Sequence, residues 1–144
     1  MMKKYILIGV TMMISSVMFA QDFKDQLKEA DKLFKLEQYE EASKLYKKII
    51  SIDPTDANVG YKYGACVIML NQSNDDALNY LLIAEKSGKS DKEIAYFIAR
   101  AYENKKEYKK ASAYYERFLE VADKNQIKQL KVKKHLKNCN KKQQ

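Results

Sequence analysis

The side chains able to do chemistry are few and far apart. His135 is the single histidine, set in KVKKHLK, and the two thiols, Cys66 and Cys139, lie 73 residues from each other. A general base needs a nearby group to orient it and a nucleophile or water to activate. Around His135 the sequence offers only lysines, so it reads as a solvated residue of a terminal helix. The paired acids Glu40–Glu41 and Asp75–Asp76 each open an apolar periodic stretch, where carboxylates favour the positive end of a helix. They are helix-start residues and not a general acid and base. Glycine-rich phosphate loops and clustered metal-ligand spacings are absent from the sequence. The expectation is therefore no catalytic, cofactor-binding or metal-binding residue, no cofactor and no enzymatic activity. Cys66, in YGACVIML, reads as a small buried hydrophobe. Cys139, in a polar tail, reads as a free thiol or one paired between molecules in an oxidising compartment.

The elements that would have to position any site come next. Lys3 and Lys4 precede an uncharged apolar run from Tyr5 to Phe19, with Ala20 at its end. This is the pattern of a secretory signal peptide, residues 1–20, cleaved after Ala20. The alternative is a retained membrane anchor, but the run is shorter than the roughly 20 residues that span a bilayer. The remaining residues suffice for one domain. Charge divides unevenly along them: residues 21–123 carry 17 basic and 19 acidic side chains, a balance of −2, whereas residues 124–144 carry eight lysines and no acid. Lys124, Lys128, Lys131, Lys133, Lys134 and Lys137 could meet an anionic surface or an acidic partner. Export leaves nucleic acid the least accessible of such partners.

A repeat organises the middle of the chain. Ala42, Ala77 and Ala111 stand 35 and 34 residues apart, each followed four residues on by a large side chain, Tyr46, Leu81 or Tyr115. Ala30, Gly64 and Ala99 recur at 34 and 35, followed three residues on by Leu33, Val67 and Tyr102. Each copy contains two stretches of apolar residues at helical three- and four-residue intervals, separated by a short polar break. Asp56, Asn74 and Asp91 mark helix starts, and Gly88 in KSGKS suits a left-handed helix end. In the middle copy the break LNQSNDD is one residue longer than its counterparts. Beyond Asp123, Ile127, Leu130, Val132 and Leu136 among lysines predict one capping helix with a frayed NKKQQ end.

These residues resemble tetratricopeptide repeats, a family of 34-residue helix pairs. The resemblance is carried by Ala30, Leu33, Tyr39, Ala42, Tyr46 and Pro54 in the first copy. Gly64, Val67, Ala77, Leu81 and Ala84 carry it in the second, and Ala99, Tyr102, Tyr108, Ala111, Tyr115 and Phe118 in the third. The second and third copies lack the terminal proline, and the family's frequent turn glycine is replaced by Glu37, Asn71 and Lys105. A fainter likeness, through the signal peptide, IARAYENKKEYKKASAYYERFLEVA and the basic helix near Cys139, is to the N-terminal repeats of exported bacterial envelope proteins. The implied fold is all-α: an α-solenoid of three helix pairs (about 23–56, 57–90 and 91–124) plus a basic cap at 124–144.

What the resemblance implies for function is binding. In such repeats the first helix of each unit lines a concave groove, which here assigns Leu27, Asp31 and Phe34, then Tyr61, Ala65 and Ile68, then Tyr96, Arg100 and Glu103. Each of these could instead pack between helices. One mode of the family grips a peptide's C-terminal carboxylate with Lys, Asn and Arg. Asp31, Ala65 and Glu103 fall at those positions, which favours an extended segment with apolar anchors instead. Two readings follow: an exported, periplasmic or envelope-associated adaptor binding a protein or peptide partner, or a structural envelope protein held at an anionic surface by its lysine tail.

Overall fold

The computed structural model describes residues 21–72, 75–88 and 92–143, and every regular element among them is helical. The signal segment 1–20 and the helix-start candidates Asn74 and Asp91 lie outside the described residues. The helices are α1 (21–35), α2 (Tyr39–Ile52), α3 (Ala57–Met69), α4 (Asp75–Ser87), α5 (Ile94–Asn104), α6 (Tyr108–Val121), α7 (Lys124–Gln129) and α8 (Val132–Lys142). Among them none is long and apolar enough to cross a membrane.

Local chemistry sets the ends. Asp53 is extended because it precedes Pro54, whose ring disfavours helical backbone in the residue before it, so α2 stops at Ile52. The next helix starts at once, with the Asp56 carboxylate accepting from Asn58 N at 3.0 Å and Val59 N at 3.1 Å. The first helix of each unit ends in the same paired backbone turn. Glu37 N donates to Phe34 O and Gln38 N to Leu33 O. Asn71 and Gln72, then Lys106 and Glu107, repeat the two bonds. The turn residue is left-handed each time, with φ of 59° at Glu37, 54° at Asn71 and 62° at Lys106. Lys106, one residue beyond the expected Lys105, takes the third position, in keeping with the 35-residue step from Gly64 to Ala99. Gly88 is left-handed as expected, at φ 66°. A side chain in this conformation costs about 1–2 kcal/mol that glycine avoids, against about 0.5–1 kcal/mol of glycine's extra unfolded-state entropy. Lys106→Gly should accordingly raise the unfolding free energy by about 0.5 kcal/mol, read from urea midpoints at unchanged slope.

Packing joins the pairs into a continuous array. Ala30, Ala42, Ala77, Ala99 and Ala111 are fully buried, which lets the helices cross closely. The buried core falls into two clusters that meet on α3. Val59, Tyr63, Cys66 and Val67 face the first pair, and Tyr61, Ala65 and Ile68 face α5 and beyond. Its sequence ANVGYKYGACVIM is apolar nearly all round, as a helix covered on both sides should be.

The cap departs from expectation. It is two helices, broken where Lys131 turns left-handed at φ 51°, and α7 is opened by a reciprocal capping box between Asp123 and Gln126. The helix α8 continues to Lys142, into the stretch expected to fray, and the Gln143 side chain bonds Tyr108 O and Ser112 Oγ. Val132 and Cys139 are buried at 0% and 1% exposure, seven residues apart on the face that meets α6. Cys139 is therefore no exposed tail thiol. Burial pushes it up to about 11, and Cys66 up to about 12, so neither is a ready thiolate.

Candidate functional site

The first helices α1, α3 and α5 stand side by side, and α8 takes the place of a fourth. The polar links between them follow one plan. On α1, Asp31 accepts from the Tyr46 hydroxyl of α2 at 2.7 Å and from Lys62 Nζ of α3 at 2.7 Å. On α5, Glu103 accepts from the Tyr115 hydroxyl of α6 at 2.6 Å and from His135 of α8 at 2.9 Å. In both cases an acid of the first helix holds a tyrosine of its own pair and a basic side chain of the next unit. Burial, then the hydrogen bond to the acid, pushes both tyrosines well above their usual range.

His135 corrects the expectation of a solvated residue. Arg100 Nη1 lies 3.0 Å from its Nε2, and arginine can only donate, so Nε2 accepts and the proton sits on Nδ1, donated to Glu103. Its ring stacks on Tyr115 with centroids 5.8 Å apart. A carboxylate-oriented histidine of this kind would suit a general base, but the nitrogen that should take the proton is already occupied by Arg100. The cluster is a structural link. Val132, His135 and Cys139 recur at helical spacing, a signal in the sequence that the surrounding lysines obscured. Among the described residues, no group of three or more His, Cys, Asp or Glu side chains is placed to hold a metal ion.

The nine groove candidates separate by exposure. Leu27, Asp31, Phe34, Arg100 and Glu103 are partly exposed. Tyr61, Ala65, Ile68 and Tyr96 are buried at 7%, 0%, 3% and 5%. Tyr61 meets Phe97 edge-on at 5.9 Å, and Tyr96 packs on Tyr115 and Phe118 at 6.2 and 5.7 Å. These four therefore serve mainly as the interhelical packing that the sequence left open as their other role. Between α3 and α5 lies a hollow of about 180 Å³ lined by Ile68, Met69, Asn71, Tyr96 and Arg100. Arg100 Nη2 donates to Asn71 Oδ1 at 2.8 Å across it, and Met69 on its rim is 38% exposed. The sequence reading missed Met69 and Asn71, because both sit at the end of α3 where the helix meets its turn.

The family profile described as tetratricopeptide repeat matches residues 27–56 and 92–125. Among solved structures, the first repeat domain of Spaghetti (RPAP3) bound to the HSP90 peptide SRMEEVD superposes with a TM-score of 0.63. Identity is 20%, covering 84% of this chain and 92% of that one. The type III secretion chaperone SycD of Yersinia enterocolitica, in complex with a peptide of the translocator YopD, gives 0.62 at 20% identity, covering 84% and 94%. The Sgt2 repeat domain from Aspergillus fumigatus gives 0.60 at 18%, covering 84% and 78%. No curated protein matches the chain by sequence.

Proposed function

Since this chain is a tetratricopeptide-repeat protein, we propose that it is an exported adaptor of the bacterial cell envelope that holds an extended peptide segment of a protein partner along α1, α3 and α5. The observation that carries this reading is the alignment of three first helices with a hollow between α3 and α5. That hollow offers both an apolar rim at Met69 and a fixed donor at Arg100. An extended segment could place an apolar side chain against Met69 and a backbone carbonyl near Arg100, which is how shallow grooves combine area with orientation. Two similar folds were solved with peptides bound, an HSP90 peptide in one and a YopD peptide in the other. Export rests on Lys3, Lys4 and the apolar run ending at Ala20.

One experiment tests both parts. The full chain is expressed in a bacterium, recovered from the envelope fraction, and screened against a library of extended peptides beside Met69→Glu. The expected result is a mature protein that begins at Gln21, with its best peptides bound at least tenfold more weakly by the variant. Undiminished binding by Met69→Glu would remove the hollow from the account. Retention of residues 1–20 in the cytoplasm would remove export.

A further inference from the structure

We propose that the cleft between α7 and α8 is a second docking site, which takes an acidic, extended segment of a partner protein and buries one of its apolar side chains. Lys124, Lys128 and Lys131 from α7 and its turn, with Lys133 and Lys134 from α8, ring a cleft of about 480 Å³ that has Ile127 in its lining. The left-handed Lys131 creates it, because the break brings both helices' lysines around one concavity. A neighbouring hollow of about 370 Å³ shares Lys133 and continues along α8 through Leu136, Lys137, Asn140 and Lys141. The spacing of those residues, three and four apart, keeps them on one helix face, beside the buried Val132 and Cys139, with Leu136 half-buried against the core.

Charge identifies the occupant. Lys32, Lys44, Lys62, Lys105, Lys110 and Arg117 each hold a carboxylate within the fold. Among the described residues, none of those ion pairs engages a lysine of the cleft, and residues 124–144 contain no acid. A concave surface with uncompensated charge of one sign concentrates ligands of the other. The apolar lining selects among anions. Free phosphate would leave Ile127 and Leu136 uncovered, and the flat headgroup plane of a bilayer would not enter a cleft. A peptide can do both, with carboxylates on the lysine rim and one side chain inside. From Lys133 to Lys141 the helix rises about 12 Å, which about four extended residues cover.

The test uses the mature chain and a fluorescein-labelled octapeptide of Glu and Asp with one central Phe. Its partners are the same peptide with Ser at the centre, vesicles of phosphatidylglycerol and phosphatidylcholine, and inorganic phosphate as competitor. The expected result is at least tenfold tighter binding of the Phe peptide than the Ser peptide. At least a tenfold loss is expected for the triple variant Lys124→Gln, Lys128→Gln, Lys134→Gln, whose helix content by circular dichroism stays unchanged because all three side chains are exposed. Met69→Glu should leave this binding intact, which separates it from the groove. Equal binding of the two peptides, or displacement by low-millimolar phosphate, would overturn the proposal. So would binding that the triple variant retains, or vesicle binding that depends on the same lysines and outcompetes the Phe peptide.

Discussion

Gly64→Ala should cost about 2 kcal/mol of unfolding free energy, although alanine is the better helix former by about 1 kcal/mol. A Cβ at Gly64 would stand 2.5 Å from Leu81 Cγ, 2.9 Å from its Cδ2 and 3.1 Å from the backbone oxygen of Ala77. The first two contacts are inside any tolerable separation, and Leu81 is fully buried, so relief requires moving α4 away from α3. The equivalent places in the other pairs hold alanine, Ala30 and Ala99, in units that carry Tyr46 and Tyr115 where the middle one has Leu81. A flat ring leaves room for a methyl where the branched end of leucine does not. Gly60 supplies the control on the same helix: its added Cβ would meet Tyr80 Cβ at 3.4 Å and Ile50 Cδ1 at 3.5 Å, ordinary contact. Gly60→Ala should be neutral or stabilising. Urea denaturation of the two variants side by side decides the matter, and equal effects would show that the crossing is looser than its geometry.

The second large effect is expected at Glu103. Glu103→Leu removes the acceptor of Tyr115 and His135 and the carboxylate 3.8 Å from Arg100 Nε, leaving two donors unmet and the arginine charge without its nearest acid in a mostly buried place. The expected loss is about 3 kcal/mol. The damage should reach α8 first, since His135 ties that helix to α5. Faster reaction of Cys139 with a thiol reagent under native conditions is the local readout. Glu103→Gln gives a milder variant with a pH signature. Burial by itself would raise the Glu103 carboxyl, but hydrogen bonds from His135 and Tyr115, with the nearby Arg100 charge, outweigh it and hold the group below its usual range. A carboxylate lowered by folding contributes stability above its unfolded value of about 4.3 and loses it as the pH falls through the folded value. The stability gap between wild type and Glu103→Gln should therefore be full at neutral pH and close as the pH falls below about 4. A gap that stays constant across that range would mean the carboxylate is not held by these bonds.

Much of this was legible in the residues. Small side chains at fixed spacing specify where helices cross, and the all-α solenoid follows from them because each amphipathic pair needs a neighbour to cover it. The lone proline and Asp56 gave a helix end and a helix start, each through a backbone effect that acts within one or two residues. What escaped depends on distance or on exceptions to local preference. Whether Tyr61 and Tyr96 pack or line a groove rests on where α5 and α6 stand: both are buried against them, and Tyr96 also lines the hollow. A left-handed lysine carries no local mark, so the break at Lys131 was hidden in a run that reads as one helix. His135 was assigned by its lysine neighbours in sequence, whereas its neighbours in space are Arg100, Glu103 and Tyr115 from two other helices.

The exchange of tyrosine for leucine in the middle pair has a mechanical consequence. Tyr46 and Tyr115 are tied to acids by bonds that hold only at short distance and correct angle, and Leu81 has no such tie, with Ala65 and Ile68 at the corresponding places on its partner helix. Apolar contact is non-directional and yields to sliding more readily than a hydrogen bond does. At the central crossing sliding is checked instead by shape, since Leu81 seats where a Cβ at Gly64 would stand. A load on the array is therefore met by directed bonds at its outer pairs and by interlocked side chains at its middle one.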